Sequence, residues 1–418
     1  SGSGAYDGPS TINFGQKPFK FPPPDGFQSL NAANVRPETV ISRPDQYVGI
    51  VTYTGDGNSP RKISGYNFAP DLIWYKQRNS ARDHQLYDTV RGSGSDKNLS
   101  SNTTYGETAN DDELYGYTSA FNDNGFTVTT GSSNFNYANA NSSTYVAWAW
   151  KAGGNKNTFN VDDVGYASAA AAGLDGGTIT PTGASVGTKQ GFSIIKYTGN
   201  STTNATLPHG LSEAPKFVII KNLSNSYGWA VLHTDAGTTG TTLDGSPEYY
   251  MLQLDTNADR DNFSQDTIWN PTSTTVKIDQ SGGANWVNNS NSSYIAYLWH
   301  DVPGLQKFGT YEGNGNVDGP YVELGFTPAI LILKNIDADE HWYIYDPKRS
   351  PHNVAYQSIL ASNSGAENTG TSDTRVDLLS SGFKLRQANG PNNSNTYVYM
   401  AWATAPSIDL YGGSANAR

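Results

Sequence analysis

Three lysines stand at matched positions in this chain: Lys76, Lys221 and Lys334, each six residues after a proline (Pro70, Pro215, Pro328). An acidic residue follows each on what reads as a returning strand: Asp88, Asp235 and Asp346. An amine and a carboxylate in repeated register could form a charged ligand site. The plainer reading is a structural lysine at a hairpin end, snorkelling or paired with a nearby carboxylate. Recurrence for packing favours the plainer reading. Eight residues after each lysine come His84, Trp229 and Trp342. An exposed ring there could stack on a sugar, although strand aromatics usually face inward.

The densest carboxylates are Asp111-Asp112-Glu113 and Asp162-Asp163. Calcium favours such oxygen-rich loops. Neither run has EF-hand spacing, and neighbouring residues of an extended chain point to opposite sides. The loop Asn288-Asn289-Ser290-Asn291 could bind sugars or cations, but these residues are also ordinary turn formers. Sequons at Asn98, Asn102 and Asn141 carry little weight in a chain so rich in Asn, Ser and Thr. No G-x-S-x-G elbow, P-loop, H-E-x-x-H or strand-linked G-x-G-x-x-G is present. The 6 histidines have no metal-ligand spacing, and there is no cysteine. No enzyme activity, cofactor or metal site is therefore expected. Two carboxylates of a glycosidase could still meet in space without any sequence signal.

Composition narrows the partners. A net charge of −11 with no basic stripe argues against nucleic acid. No apolar run reaches the roughly 18 residues of a spanning helix, so membrane insertion is not expected. The first residues show no signal-peptide pattern. Without disulfides, durability must come from packing or oligomerisation. A protein made in a reducing cytoplasm and released by lysis would share this composition. Charged residues make up only 16%, and Gly numbers 44, which suits turns and short strands. The 26 Tyr and 9 Trp can still build a core.

The elements that must position these residues recur three times. Tyr53-Thr54-Gly55, Tyr197-Thr198-Gly199 and Tyr311-Glu312-Gly313 open the copies. Tyr145-Val146-Ala147-Trp148, Tyr294-Ile295-Ala296-Tyr297 and Tyr399-Met400-Ala401-Trp402 close them, at 69, 73 and 65 residues after the lysine. In copy one, Ile50–Tyr53, Leu72–Tyr75, Gln85–Tyr87, Gly125–Val128 and Tyr145–Trp150 read as strands, and no segment keeps a helical period. The spacing predicts an all-β chain of three tandem β-sandwich repeats, jelly-roll or lectin-like, after an extended N-terminal segment. The predicted boundaries are 1–45 (segment and linker), 46–152 (copy one), 153–190 (Ala/Gly-rich linker or insertion), 191–302 (copy two), 303–405 (copy three) and 406–418 (tail). Ala169–Ala172 has room for a helical turn or two, and the glycines around it suggest a flexible connector. Copies two and three, joined by a short link, should be rigid, with copy one hinged against them.

The motif series resembles an uncharacterised repeat domain of structural proteins of marine bacteriophages. It runs Tyr-Thr-Gly, a proline before an apolar run and lysine, then Trp, Gly-Phe and Tyr-Val-Ala-Trp. Val164–Leu174 running on to Gly191–Tyr197 carries the likeness, as does the C-terminal Ala415-Asn416-Ala417-Arg418. Ile12–Phe19 with Pro24-Asp25-Gly26-Phe27 resembles the last strand and exit of a SPRY-like domain whose body is absent. The chain would then be the C-terminal part of something longer, or a truncated relative. The resemblance implies a virion surface protein, a tail fibre or similar appendage, assembled in the bacterial cytoplasm and released. It would be structural and bind a host glycan. Its implied partners are other virion proteins and its own copies, as a trimer by analogy with fibres. The alternatives are capsid decoration or a spacer without receptor binding, and a polysaccharide-degrading enzyme. No functional residue transfers from the family. Function is expected where the copies differ: the loops at 90–120, 235–265 and 361–375, the insertion after copy one, and the position that is His84 once and Trp twice.

Overall fold

Four strands recur in every copy and set the all-β architecture. In chain order they are an opening strand (Val48–Thr54, Phe192–Thr198, Gln306–Glu312) and an apolar strand (Leu72–Gln77, Phe217–Asn222, Phe326–Asn335). A short returning strand (Gln85–Asp88, Ala230–His233, Tyr343–Tyr345) and a closing strand (Thr144–Trp150, Ser293–Trp299, Thr396–Pro406) follow. Each set pairs antiparallel in the spatial order opening, closing, apolar, returning. A three-stranded sheet faces each set, built in copy one from Arg61–Ser64, Tyr117–Asn122 and Gly125–Thr129. The structure, a computed structural model, describes residues 40–107, 112–241, 247–260, 268–279, 286–370 and 375–406. The segment resembling a SPRY-like exit lies outside the described residues.

All six residues of Leu72–Gln77 are buried, and the twofold period of a strand sends them to both faces. Ile73 and Tyr75 enter copy one's own sandwich with Tyr87, Phe126 and Val128. Leu72 and Trp74 turn the other way, into a cluster that also holds Phe217 and Trp299 of copy two and Ile332 and Met400 of copy three. Each large sheet is therefore covered twice. That is why its strands read as continuous apolar runs rather than as alternating ones. At the centre, Trp150, Trp299 and Trp402 occupy equivalent places, opposite Leu72, Phe217 and Ile330. Trp402 meets the other two edge-on, at 5.4 and 5.9 Å between ring centroids.

This shared core corrects the expectation that copy one hinges against a rigid pair. Its Trp74, Trp148 and Trp150 belong to the same cluster as the tryptophans of the other copies. The insertion is also no loose connector. Gly183–Gly187 pairs antiparallel with the opening strand of copy two, and Phe159–Val161 and Val164–Tyr166 extend that sheet to eight strands. Leu174, Ile179, Ala184 and Val186 enter copy two's core. Its alanines form a turn, with Ala172 N donating to Ser168 O at 3.2 Å. Small residues served close packing here: a Cβ on Gly153 would lie 2.3 Å from Val186 O.

Register corrects the third closing motif. Tyr53, Tyr197 and Tyr311 pair with Tyr145, Tyr294 and Tyr397, so Tyr397 rather than Tyr399 is the equivalent residue. The three ring pairs stack at 4.9, 5.1 and 5.0 Å. A shift of two residues keeps side chains on the same faces, so the near-match at Tyr399 looked sound. The recurrent glycine after the opening tyrosine is steric. A Cβ on Gly55, Gly199 or Gly313 would lie 2.0, 2.3 or 1.9 Å from the carbonyl oxygen of Ala140, Asn289 or Asn393. A buried asparagine holds each of these loops. Asn139, Asn288 and Asn392 donate through Nδ2 to Asn58 O (2.8 Å), Thr202 O (3.2 Å) and Asn316 O (2.7 Å).

Replacing Trp402 by alanine should leave a cavity touching all three copies and cost about 3–5 kcal/mol. Urea unfolding of the full chain measures it. A loss below about 1 kcal/mol would contradict the shared core.

Candidate functional site

The matched lysines are fully buried. Lys76 Nζ donates to Gln77 O (2.7 Å) and Ser80 O (3.3 Å). Lys221 Nζ reaches Tyr227 O in its own copy and Thr104 O of copy one at 2.8 Å. Lys334 Nζ reaches Glu340 O (2.6 Å) and Asn257 O of copy two (3.0 Å). Burial lowers the three ammonium groups to about 8, 7 and 8. These amines tie loops and seams together and are closed to ligands.

Of the acidic residues, Asp88 and Asp346 are buried and pair with Arg91 and Arg349 at 2.5 Å each. Each also binds a neighbouring copy. Tyr297 Oη donates to Asp88 Oδ2 at 2.8 Å, and Trp148 Nε1 to Asp346 Oδ2 at 3.0 Å. Asp235 is not their counterpart. His233 faces Phe217 as Asp88 faces Leu72, so copy two carries a histidine where copy one has the aspartate.

The position of His84, Trp229 and Trp342 closes the molecule into a ring. All three side chains are buried, as strand aromatics usually are, and the alternative of an exposed sugar-stacking ring falls away. Each donates to a carbonyl of the copy before it. Trp229 Nε1 reaches Ser100 O at 2.9 Å, Trp342 Nε1 reaches Gln253 O at 2.7 Å, and His84 Nε2 reaches Leu360 O at 3.1 Å. His84 makes a second bond that the two tryptophans cannot. Its Nδ1 accepts from Trp74 Nε1 at 2.8 Å, which fixes the tautomer with the proton on Nε2.

His209 and His233 repeat that arrangement, accepting at Nδ1 from Leu211 N (3.0 Å) and Asp235 N (3.2 Å). Their Nε2 atoms face Thr272 O (3.1 Å) and Tyr399 O (3.3 Å). A second ring proton would point at an N–H donor in every case. Burial pushes His84 down to about 3 and His209 to about 4, and it lowers His233 as well.

The acidic pairs tie down the insertion. Asp163 Oδ1 meets Lys151 Nζ at 2.7 Å. Asp162 accepts from Thr188 N (2.9 Å) and Thr188 Oγ1 (2.6 Å). Asp111 lies outside the described residues, and the backbone of Asp112–Tyr115 forms one helical turn. Among the described residues no three metal-ligating side chains come together. Asn289 N donates to Tyr294 Oη at 2.8 Å, so the Asn-rich loop serves the stacked tyrosines.

Among the described residues, an open and chemically mixed cleft of about 320 Å³ lies where copy one meets copy three. Arg82, Asp83, Tyr115, Asn136, Tyr137 and Ser364 line it. The helical turn places Tyr115, because Leu114 O accepts from Ser133 N and Asn134 N at 3.2 Å each. The rings of Tyr115 and Tyr137 lie 5.1 Å apart at 60°, both half-buried. Asn102 Nδ2 holds Asp83 Oδ1 at 2.6 Å, and Arg82 is exposed. Such a cleft offers apolar ring faces beside donors and acceptors. Tyr115 and Ser364 fall in two of the loops singled out because the copies differ. Tyr137 and Asn136 were missed, since nothing in an Asn/Tyr-rich loop marks them.

The chain belongs to the family described as Domain of unknown function (DUF7483), which matches residues 43–406 and so runs through all three copies as one unit. No curated protein matches the chain.

His84, His209 and His233 give a pH prediction. Each folded-state value lies below the unfolded 6.5, so the unfolded chain binds more protons as pH falls from 6.5 towards 4. Stability should drop over that window by about 1.4 kcal/mol per pH unit for each histidine. Urea midpoints at pH 7 and pH 5 measure the drop, and His209→Asn should flatten it. A midpoint unchanged between those values would contradict the neutral, Nε2-protonated rings.

Proposed function

We propose that this member of the DUF7483 family is a surface component of a bacteriophage virion, a tail fibre or similar appendage, that attaches to a host glycan. The cleft carries the attachment reading. Tyr115 and Tyr137 would pack against the C–H faces of a sugar ring, while Asn136, Asp83, Arg82 and Ser364 bond its hydroxyls. The virion reading rests on the likeness of the repeat motif to phage structural proteins. A closed ring of three jointly buried sandwiches in a chain without cysteine suits a protein exposed outside the cell. No catalytic step is assigned to it. Assembly as a homo-oligomer, a trimer by analogy with fibres, belongs to the same proposal. It would multiply weak sites into firm attachment.

The test is glycan-array binding by the full chain, followed by titration of the best ligand. Tyr115→Ala and Tyr137→Ala should each weaken binding roughly tenfold, about 1.4 kcal/mol, without a change in the urea midpoint. Release of sugar fragments would favour the degrading enzyme instead. Absence of binding, together with stoichiometric presence on phage heads, would favour decoration.

A further inference from the structure

The three seams of the ring are closed in different ways. Between copies one and two, Gly183–Gly187 lies antiparallel on the outer edge of the opening strand, with Ser185 opposite Ile194. Copy one supplies the facing wall. Gly153 N donates to Ser185 Oγ at 2.9 Å, and a Cβ on Gly183 would sit 3.1 Å from Val90 Cγ1. Between copies two and three no strand intervenes. Asp301 Oδ1 accepts from Phe308 N at 2.8 Å, and Asp301 Oδ2 pairs with Lys216 at 2.8 Å.

The seam between copies three and one has neither device. Among the described residues, the opening strand Val48–Thr54 pairs only with its closing strand. Beside its other edge runs a groove of about 210 Å³, lined by Asp45, Val48, Gly49 and Ile50 of copy one and by Pro347, Lys348 and Thr404 of copy three, with the Asp45 carboxylate already held by Arg43 and Asn67. The correspondence with the filled seam is residue by residue. Val48 and Phe192 both pair with the last tryptophan of their closing strands, Trp150 and Trp299, so Val48–Ile50 match Phe192–Ile194. Lys348 lies between Asp346 and Arg349 as Val90 lies between Asp88 and Arg91. The groove thus stands where Gly183–Gly187 is seated one seam earlier. Lys348, exposed, takes the place of apolar Val90.

We propose that this groove is a docking site for an extended β-strand from another protein chain. The strand lies antiparallel on Val48–Val51, with small side chains in the groove and a carboxylate opposite Lys348. An unpaired edge supplies a row of backbone donors and acceptors, which gives affinity, while the groove selects side chains. The seam already filled shows the geometry: a run of Gly-Ala-Ser-Val-Gly, wholly buried. The lysine sets the charge preference.

Amide hydrogen exchange on the full chain tests this. The probes are a synthetic peptide of residues 182–188 and the same peptide with aspartate in place of Gly183, the position that would face Lys348. In the chain alone, the amide of Ile50, which points to the open edge because Gly49 and Val51 bond to the closing strand, should exchange much faster than that of Ile194, which faces the inserted strand. Millimolar peptide should slow it at least severalfold, and the aspartate peptide should act at lower concentration. Lys348→Gln should remove that advantage, and Thr404→Trp, which fills the groove, should abolish protection by both. An Ile50 amide already as protected as that of Ile194 would mean the edge is covered, and would overturn the proposal. A free Ile50 amide indifferent to both peptides would overturn it equally. Equal potency of the two peptides would overturn the charge preference.

Discussion

Burial of each large sheet on both faces is the constraint from which the rest follows. One face packs on the copy's own small sheet, and the other packs on the faces of its two neighbours around Trp150, Trp299 and Trp402. A single copy would expose half of its apolar strand to water. At about 25 cal/mol per Å² of apolar surface, that exposure outweighs any one hydrogen bond in the structure. The three copies therefore act as parts of one body, in keeping with a family match that spans them together.

Polar contacts then specify which neighbour each copy takes. Donors from the Trp229, Trp342 and His84 positions each reach back to the preceding copy, and the last of them closes the circle. The buried Asp–Arg pairs at two seams are oriented by a donor from another copy, and His233 replaces the aspartate at the third. Buried ion pairs add little net stability but penalise wrong pairings strongly. They belong to a core whose hydrophobic part would tolerate several arrangements. The tyrosine cleft, the inserted strands and the open groove are places where the copies depart from threefold repetition.

Much of this was legible in the chain, and the rest failed for definite reasons. The strands around Leu72–Tyr75 and Tyr145–Trp150 declared themselves by apolar runs between turn residues. Those runs also held the clue to burial on both faces, since a sandwich open to water on one side would alternate. The third closing tyrosine was misplaced because a shift of two preserves strand parity. Asp235 follows its lysine as Asp88 does, but spacing alone cannot see that His233 holds the position equivalent to Asp88. The insertion looked flexible because glycine signals both looseness and close approach, and only its neighbours decide between them. The asparagines that pin the Tyr-x-Gly loops were hidden by composition: in a chain full of Asn, three more at matched places do not stand out. The cleft joins residues of copies one and three, and no local pattern reports a junction that distant.

The three sandwiches form one closed, jointly buried body. Differential scanning calorimetry of the full chain tests it most directly, by comparing calorimetric and van't Hoff enthalpies. A jointly buried body melts in a single transition in which the two agree for the whole folded region. Two or three separable transitions, or a van't Hoff enthalpy near one third of the calorimetric value, would show copies unfolding independently and would contradict it.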